Sequence, residues 1–155
     1  MTYRMEGLVP AAFESLFGMM EGGLEARRAK RVTADAPGAY PCRITLADAE
    51  PGEELLLVNY VSHDVEGPFR TAYSIYVRKD AAAAASFTDE APPYLDKRTL
   101  GLRGFDEEGM LKGALIALPG EADARIRELF ERPEIATIHA HNAAYGCFLA
   151  RIERT

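Results

Sequence analysis

Residues 135–153 read IATIHAHNAAYGCFLARIE, and this stretch decides the fold at the C-terminal end of the chain. Two runs of strand-forming residues flank a short segment with turn residues at 142–146, as in two strands joined by a loop. Because successive side chains of a strand point to opposite faces, Ala136, Ile138 and Ala140 share one face. The stretch therefore predicts a β-hairpin with an apolar face against the core and a more polar face opposite.

The polar face of this hairpin carries two imidazoles. If the two strands pair symmetrically around the loop, His141 lies opposite Cys147 and His139 lies opposite Leu149. In that register the two imidazoles and the thiol form one cluster. A one-residue bulge would turn part of one strand over and disperse them, so the cluster depends on the pairing.

One interpretation of this cluster is a divalent metal site. Neutral imidazoles and a thiolate are ligands of zinc and related ions, so His139, His141 and Cys147 are candidate metal ligands. Cys42 or His63 would complete a tetrahedral set if the fold brought either one near. The pattern leaves the cofactor unknown, with a divalent metal and no cofactor at all as the alternatives.

A second interpretation is catalysis, with Cys147 as a candidate nucleophile and His139 as a candidate proton-transfer group. Asn142 would then orient an imidazole. The structural alternative is that the histidines bond to the backbone, Asn142 occupies a left-handed turn and Cys147 is a small core residue. The chain has no Gly-x-Ser-x-Gly elbow, phosphate-binding loop, dinucleotide fingerprint or His-Glu-x-x-His motif.

Arg43 follows Cys42 directly and suggests a third chemistry. An arginine side chain binds carboxylates and phosphates through a planar fork of donors. The leading interpretation is therefore a pocket for a small anionic ligand. Its candidate ligand-binding residues are Cys42, Arg43, His139, His141 and Asn142. The alternative is that Arg43 pairs with one of the chain's acidic side chains on the surface.

Length and charge limit the classes of function. The chain has 155 residues, with 18 lysines and arginines against 24 acidic residues and a net charge of −6. An acidic surplus argues against a nucleic-acid-binding protein and removes the electrostatic attraction to anionic membranes. We expect a single globular domain over residues 1–155. The N-terminus does not resemble a signal peptide, so we expect a cytoplasmic protein with reduced thiols.

The rest of the chain predicts a mixture of short helices and strands. We expect helices within the first 31 residues, interrupted at Gly22-Gly23, and a short helix at 81–85. The pattern also predicts strands at 42–46, 55–61 and 72–78 and a hairpin formed by 98–105 and 110–118. It further predicts a helix with Ala122, Ile126, Leu129 and Phe130 on one face, which Pro133 closes. These elements indicate an α+β domain. It would have a mostly antiparallel sheet, N-terminal helices and one helix before the C-terminal hairpin.

Several of these motifs together resemble a bacterial family, the domain of unknown function 1203. The resembling segments are Tyr40-Pro41-Cys42-Arg43, Tyr73 to Arg78, Phe105-Asp106 with Gly109-Met110, and His139-Ala140-His141-Asn142 with Gly146-Cys147-Phe148. The resemblance covers nearly the full chain. It implies a single-domain bacterial protein and no particular activity.

Three classes of function follow from these patterns. The first is a domain that binds a small molecule or anion at the Cys/Arg/His/Asn residues. The second is a metal- or thiol-dependent enzyme at the same cluster. The third is a structural or interaction protein, with a homodimer formed through a sheet edge or through the N-terminal helices.

Overall fold

The computed structural model describes residues 1–155. They form four α-helices and eleven strands, and the strands belong to two sheets. The strands are β1 (Tyr3–Glu6), β2 (Ala29–Thr33), β3 (Pro41–Cys42), β4 (Ala47–Asp48), β5 (Glu54–His63), β6 (Thr71–Arg78), β7 (Ser86–Thr88), β8 (Leu100–Phe105), β9 (Leu111–Ala117), β10 (Thr137–Asn142) and β11 (Phe148–Arg154). The helices are α1 (Glu14–Phe17), α2 (Glu21–Ala26), α3 (Pro93–Asp96) and α4 (Ala122–Phe130), with a 3-10 turn at Pro10–Ala12. None of the helices combines the length and the apolar character that crossing a membrane requires.

The strands form two separate sheets rather than one. Sheet one has six strands in the order β7-β1-β11-β10-β8-β9, and every neighbouring pair is antiparallel. Sheet two has five strands in the order β2-β5-β6-β3-β4, and its only parallel pair joins β3 to β6. The predicted α+β fold is confirmed, with mostly antiparallel strands, N-terminal helices and one helix before the C-terminal hairpin.

Two large apolar cores hold these layers together, beside a small cluster of Ala34, Ala49 and Leu55. The helix-side core contains 18 buried residues, among them Ile126 of α4, Leu102 of β8 and Ile138 of β10, and it lies between sheet one and the helices α3 and α4. The second core contains 11 buried residues, mainly from sheet two and the N-terminal helices, together with Phe148 of β11. Because Phe148 belongs to the second core, the two sheets meet at the start of β11.

The long elements match the sequence pattern, whereas three short predictions are wrong. The first 31 residues include the strand β1 because Tyr3 and Met5 alternate into the helix-side core, and Gly22-Gly23 lies inside α2 instead of ending a helix. The predicted strand at 42–46 is reduced to β3 because the backbone turns at Leu46, where φ is 48°. The predicted helix at 81–85 does not form. A helix this short is unstable unless one of its faces packs against the rest of the protein.

Candidate functional site

The strand β10 places the two predicted site histidines on the side of sheet one that faces away from α3 and α4. Ile138 and Ala140 point into the helix-side core, as the alternation predicts. His139 and His141 occupy the opposite side, where they are only 1% and 2% exposed. Buried polar side chains are rare and need hydrogen-bond partners, so this face of β10 is a candidate functional site.

A β-bulge sets the pairing of β10 with β11 and corrects the predicted register. His139 lies opposite Arg151 and Ala140 opposite Ala150, but His141 lies opposite Phe148. Leu149 is therefore the extra residue of the bulge, and it points with Ala150 into the helix-side core. The predicted pairings of His141 with Cys147 and of His139 with Leu149 are wrong, because the bulge places a phenyl ring beside the imidazole.

The bulge also anchors Arg43. The guanidinium donates from Nε to the Phe148 carbonyl at 2.7 Å and from Nη1 to the Pro41 carbonyl at 2.6 Å. The next carbonyl, that of Leu149, accepts a hydrogen bond at 3.0 Å from the hydroxyl of Tyr94. The Cys42-Arg43 motif is therefore in direct contact with the C-terminal hairpin, although Arg43 and Phe148 are 105 residues apart in sequence.

The backbone around Arg43 is fixed from both sides. Its N–H donates to the Tyr76 carbonyl at 3.1 Å, and its carbonyl accepts from the N–H of Leu8 at 2.8 Å. Directly before Leu8, a Cβ on Gly7 would lie 1.9 Å from the carbonyl oxygen of Ile44. Only glycine permits this close approach, so Gly7 helps to position the segment that carries Arg43.

A histidine cluster, formed by His63, His139 and His141, lies next to this anchor. The ring of His63, at the end of β5, is perpendicular to the ring of His139, with 5.0 Å between centroids. Phe105 stacks on His63 at 4.1 Å, and Phe148 lies 5.4 Å from His139. The cluster therefore joins sheet two to sheet one through aromatic and imidazole rings.

The three histidines differ in their hydrogen bonds. His63 Nε2 lies 3.0 Å from the Gly109 carbonyl, and His141 Nδ1 lies 3.0 Å from the Gly146 carbonyl. Since a carbonyl only accepts, each of these nitrogens carries the proton and donates. Neither ring nitrogen of His139 has a partner, and its neighbours are the edges and faces of aromatic rings, which replace a hydrogen bond only weakly.

Burial keeps two of these imidazoles neutral. Desolvation lowers the pKa of His139 to about 3, and the charges of neighbours such as His63 add to this effect. Desolvation also lowers the pKa of His141 to about 4, with Arg103 and Arg43 lowering it further. At pH 7 both rings are therefore uncharged, and His141 presents Nε2 as an acceptor because its proton is on Nδ1.

The candidate metal ligands do not come together as a set. No group of three or more histidine, cysteine, aspartate or glutamate side chains is placed to hold a metal ion. Phe148 separates the positions that His141 and Cys147 were predicted to share. In the histidine cluster, the perpendicular His63 and His139 rings present an edge to a face rather than two nitrogens to one point.

One cavity, which we call the Arg43 cavity, has a volume of about 580 Å³ and lies where the β10–β11 turn meets sheet two. Three predicted site residues line it, namely Arg43, Asn142 and Cys147. The other lining residues are Gly38, Ala39, Pro41, Leu57, Tyr73, Ser74, Tyr76, Arg98 and Tyr145. Cys42 is not among them, since it is fully buried and its sulfur accepts a hydrogen bond from the Arg78 N–H at 3.3 Å.

Arg43 enters this cavity without a counter-ion. The side chain is 1% exposed, and both of its protein partners are neutral carbonyls. These two bonds use Nε and Nη1 and leave the second terminal nitrogen, Nη2, outside them. The other arginine of the cavity is different, because Arg98 is paired with Asp48 at 2.5 Å.

The turn between β10 and β11 forms one wall of the cavity. Asn142 accepts hydrogen bonds through Oδ1 from the N–H groups of Ala144 at 3.0 Å and Tyr145 at 2.9 Å. The left-handed residue of the turn is Gly146, with φ of 77°, and not Asn142 as the structural alternative predicted. Asn142 therefore shapes the loop through its side chain.

A second cavity of about 340 Å³ lies on the other side of this turn. His141, Arg103 and Asn142 line it, together with Gly101, Leu102, Ala114, Leu115, Ile116, Ala143 and Gly146. Asn142 is shared by both cavities, whereas His139 lines neither. Sequence reasoning missed the tyrosines of the Arg43 cavity, because Tyr73, Tyr76 and Tyr145 belong to separate segments that only the folded chain brings together.

Comparison with known proteins gives one match. No curated protein and no solved structure matches the chain. A family model described as "Protein of unknown function (DUF1203)" matches residues 39–154, which include Arg43, the histidine cluster and the whole of the C-terminal hairpin. The chain therefore belongs to the DUF1203 family, as the Pro-Cys-Arg and His-x-His-Asn motifs indicated.

Proposed function

We propose that this protein binds a small anionic ligand in the Arg43 cavity. The observation that carries the proposal is a buried guanidinium without a carboxylate partner at the cavity wall. Holding an unpaired charge away from water is costly, and an anion in the cavity would supply the missing partner. The planar guanidinium is suited to this role because it binds carboxylate and phosphate groups through paired hydrogen bonds.

The surroundings of Arg43 favour negative charge. Neither the Arg43 cavity nor the second cavity has an aspartate or glutamate among its lining residues, although the chain contains 24 acidic residues. Arg43 and Arg103 both lower the pKa of His141, so two positive charges act on the turn that separates the cavities. A local positive field in a protein of net charge −6 attracts an anion to this one place.

The remaining walls suggest what the anionic group is attached to. Leu57, Tyr73, Tyr76 and Tyr145 present apolar and aromatic surface, and Ser74 adds a hydroxyl group. The volume is within the usual range for small-molecule sites, roughly 300–1,000 Å³. We therefore expect a carboxylate or phosphate on an aromatic or aliphatic body, rather than a bare inorganic ion.

Titration calorimetry with three probes tests this proposal: inorganic phosphate, phenyl phosphate and benzoate. We expect phenyl phosphate to bind more tightly than inorganic phosphate, because only phenyl phosphate brings a ring to the tyrosine walls. Arg43→Gln should weaken phenyl phosphate binding by tenfold or more, since a hydrogen bond to a charged group contributes roughly 1.5–3 kcal/mol.

Arg70→Gln is the matched control, since Arg70 is an exposed arginine paired with Asp64 and does not line the cavity. This variant should bind all three probes as the wild type does. The proposal is wrong if the wild type binds none of the probes. It is also wrong if a folded Arg43→Gln variant binds phenyl phosphate unchanged.

The homodimer, the bacterial origin and the cytoplasmic location remain predictions. The strand β9 is at one end of sheet one, and its free backbone edge is where a second copy would pair. Sedimentation of the purified chain tests the homodimer, and a single species with the mass of one chain would contradict it.

A further inference from the structure

The two cysteines of the chain lie in opposite environments. Cys42 is fully buried, and its sulfur accepts the Arg78 N–H. Cys147 is partly exposed, lines the Arg43 cavity, and has no hydrogen bond to its sulfur within the protein. Only Cys147 is therefore open to a reagent that enters the cavity.

Cys147 shares the cavity wall with the uncompensated charge of Arg43. Arg43 is 1% exposed and has only neutral carbonyl partners, so an anion that binds its guanidinium occupies the same cavity that Cys147 lines. This pairing of a free thiol with a buried anion-binding group distinguishes Cys147 from an ordinary surface cysteine.

We propose that Cys147 is a modification site that exchanges its thiol with disulfides bearing carboxylate groups, such as acidic peptide disulfides. The inference rests on the proposed function, because Arg43 is the group that attracts the carboxylate. Arg43 acts here as a positioning residue, and the sulfur of Cys147 is the reacting atom.

The incoming disulfide is itself the oxidant in this exchange. The Cys147 thiol loses its proton to solvent, and the thiolate attacks one sulfur of the incoming disulfide. A new S–S bond forms to Cys147 while the original S–S bond breaks. The departing thiolate takes up a proton, so Cys147 is oxidised and the released half of the disulfide is reduced, with no further oxidant.

Reagent charge is the property that tests this site. Because the chain has a net charge of −6, an average surface thiol would react more slowly with an acidic reagent than with a basic one. At Cys147 the order should be reversed. Charged clefts raise local concentrations and association rates by roughly 10–1,000-fold, so we expect a preference of about tenfold or more for the acidic disulfide.

The experiment compares glutathione disulfide, which is acidic, with cystamine, which carries ammonium groups. The native protein is incubated with each, and peptide mass spectrometry follows modification of Cys147 and Cys42 over time. The ratio of the two rates at Cys147 is divided by the same ratio in urea-unfolded protein, which removes the intrinsic reactivities of the reagents. Added salt should reduce the preference by screening Arg43.

Two variants assign the effect to Arg43. Arg43→Gln should remove the preference for glutathione disulfide, and Arg43→Lys should retain part of it because the charge remains. Arg70→Gln is again the matched control and should react as the wild type does. If Arg43→Gln does not fold, phenyl phosphate serves instead, since it should slow glutathione disulfide at native Cys147 more than it slows cystamine.

The outcomes separate this inference from the anion-binding proposal. If phenyl phosphate binds with the expected dependence on Arg43 but Cys147 shows no preference for the acidic disulfide, the inference is wrong and the binding proposal stands. If phenyl phosphate does not bind and no preference is seen, both are wrong. Equal modification of Cys42 and Cys147 in the native protein would also overturn the inference.

Discussion

The two faces of β10 bury side chains for different reasons. On one face, Ile138 and Ala140 belong to a continuous apolar core closed by helices. On the other face, His139 and His141 are buried just as fully, but among rings, carbonyl groups and the Arg43 guanidinium. Burial alone therefore does not distinguish a residue that stabilises the fold from one that is kept at a cost in stability.

The difference is in how each face satisfies its polar groups. The helix-side core has few to satisfy, and its two tyrosine hydroxyls both have acceptors: Tyr3 donates to Asp123 and Tyr94 donates to the Leu149 carbonyl. The histidine face leaves both nitrogens of His139 without a partner and leaves Arg43 without a counter-ion. Unsatisfied groups of this kind concentrate at functional sites, and four substitutions or conditions test the contrast.

Ile138→Ala should have the largest effect. It removes a fully buried side chain from the closed, apolar side of β10, and such truncations cost roughly 2–5 kcal/mol. Urea unfolding followed by circular dichroism measures the change in the free energy of unfolding. A loss below about 1 kcal/mol would show that this core is not close-packed.

Acid should come next, and between pH 7 and pH 5 its main effect is on the buried imidazoles of the histidine face. The folded chain protonates His139 only near pH 3 and His141 near pH 4, whereas the unfolded chain protonates both near pH 6.5. Between these values the unfolded state binds more protons, so the stability present above pH 6.5 is lost as the pH falls. From pH 7 to pH 5 the free energy of unfolding should fall by roughly 3–4 kcal/mol.

Urea unfolding at the two pH values measures this loss. His139→Leu should retain about half of it, because only His141 still titrates with a strongly lowered pKa in that variant. Equal free energies of unfolding at pH 7 and pH 5 in the wild type would mean that the histidine face is open to water.

Tyr94→Phe should cost less, about 1 kcal/mol, because it removes one buried hydrogen bond and keeps the ring. The variant tests whether the bulge carbonyl of Leu149 needs its partner. Tyr145→Phe is the control, since Tyr145 is largely exposed and its hydroxyl has no hydrogen bond in the protein. Thermal unfolding of both variants should show a lower midpoint for Tyr94→Phe only.

His139→Leu at pH 7 should have the smallest effect. Its free energy of unfolding should stay within about 1 kcal/mol of the wild-type value, and any change should be an increase. A neutral ring without hydrogen bonds is replaced by an apolar side chain of similar size, which removes the desolvation penalty. His141→Leu should instead lose stability, because it removes the bond to the Gly146 carbonyl. A loss from His139→Leu as large as that from Ile138→Ala would erase the contrast between the faces.

Much of this arrangement was predictable from the sequence. The period-two pattern around Ile138 and the turn residues at 142–146 are strong local signals, and they predicted the C-terminal hairpin. The pairing around Leu149 was not predictable from local sequence. The bulge depends on neighbouring strands and on the hydrogen bonds that its Phe148 and Leu149 carbonyls accept from Arg43 and Tyr94. The contact of His63 with His139 likewise depends on how two sheets pack, and no local spacing encodes that.

The turn at Asn142 has a consequence for the speed of binding. Its side-chain and backbone bonds hold the loop, including Tyr145, in one conformation before any ligand arrives. A ligand that meets an ordered wall loses less conformational entropy and does not wait for a loop to rearrange. Association should therefore follow a single exponential whose rate rises linearly with ligand concentration and falls as salt is added.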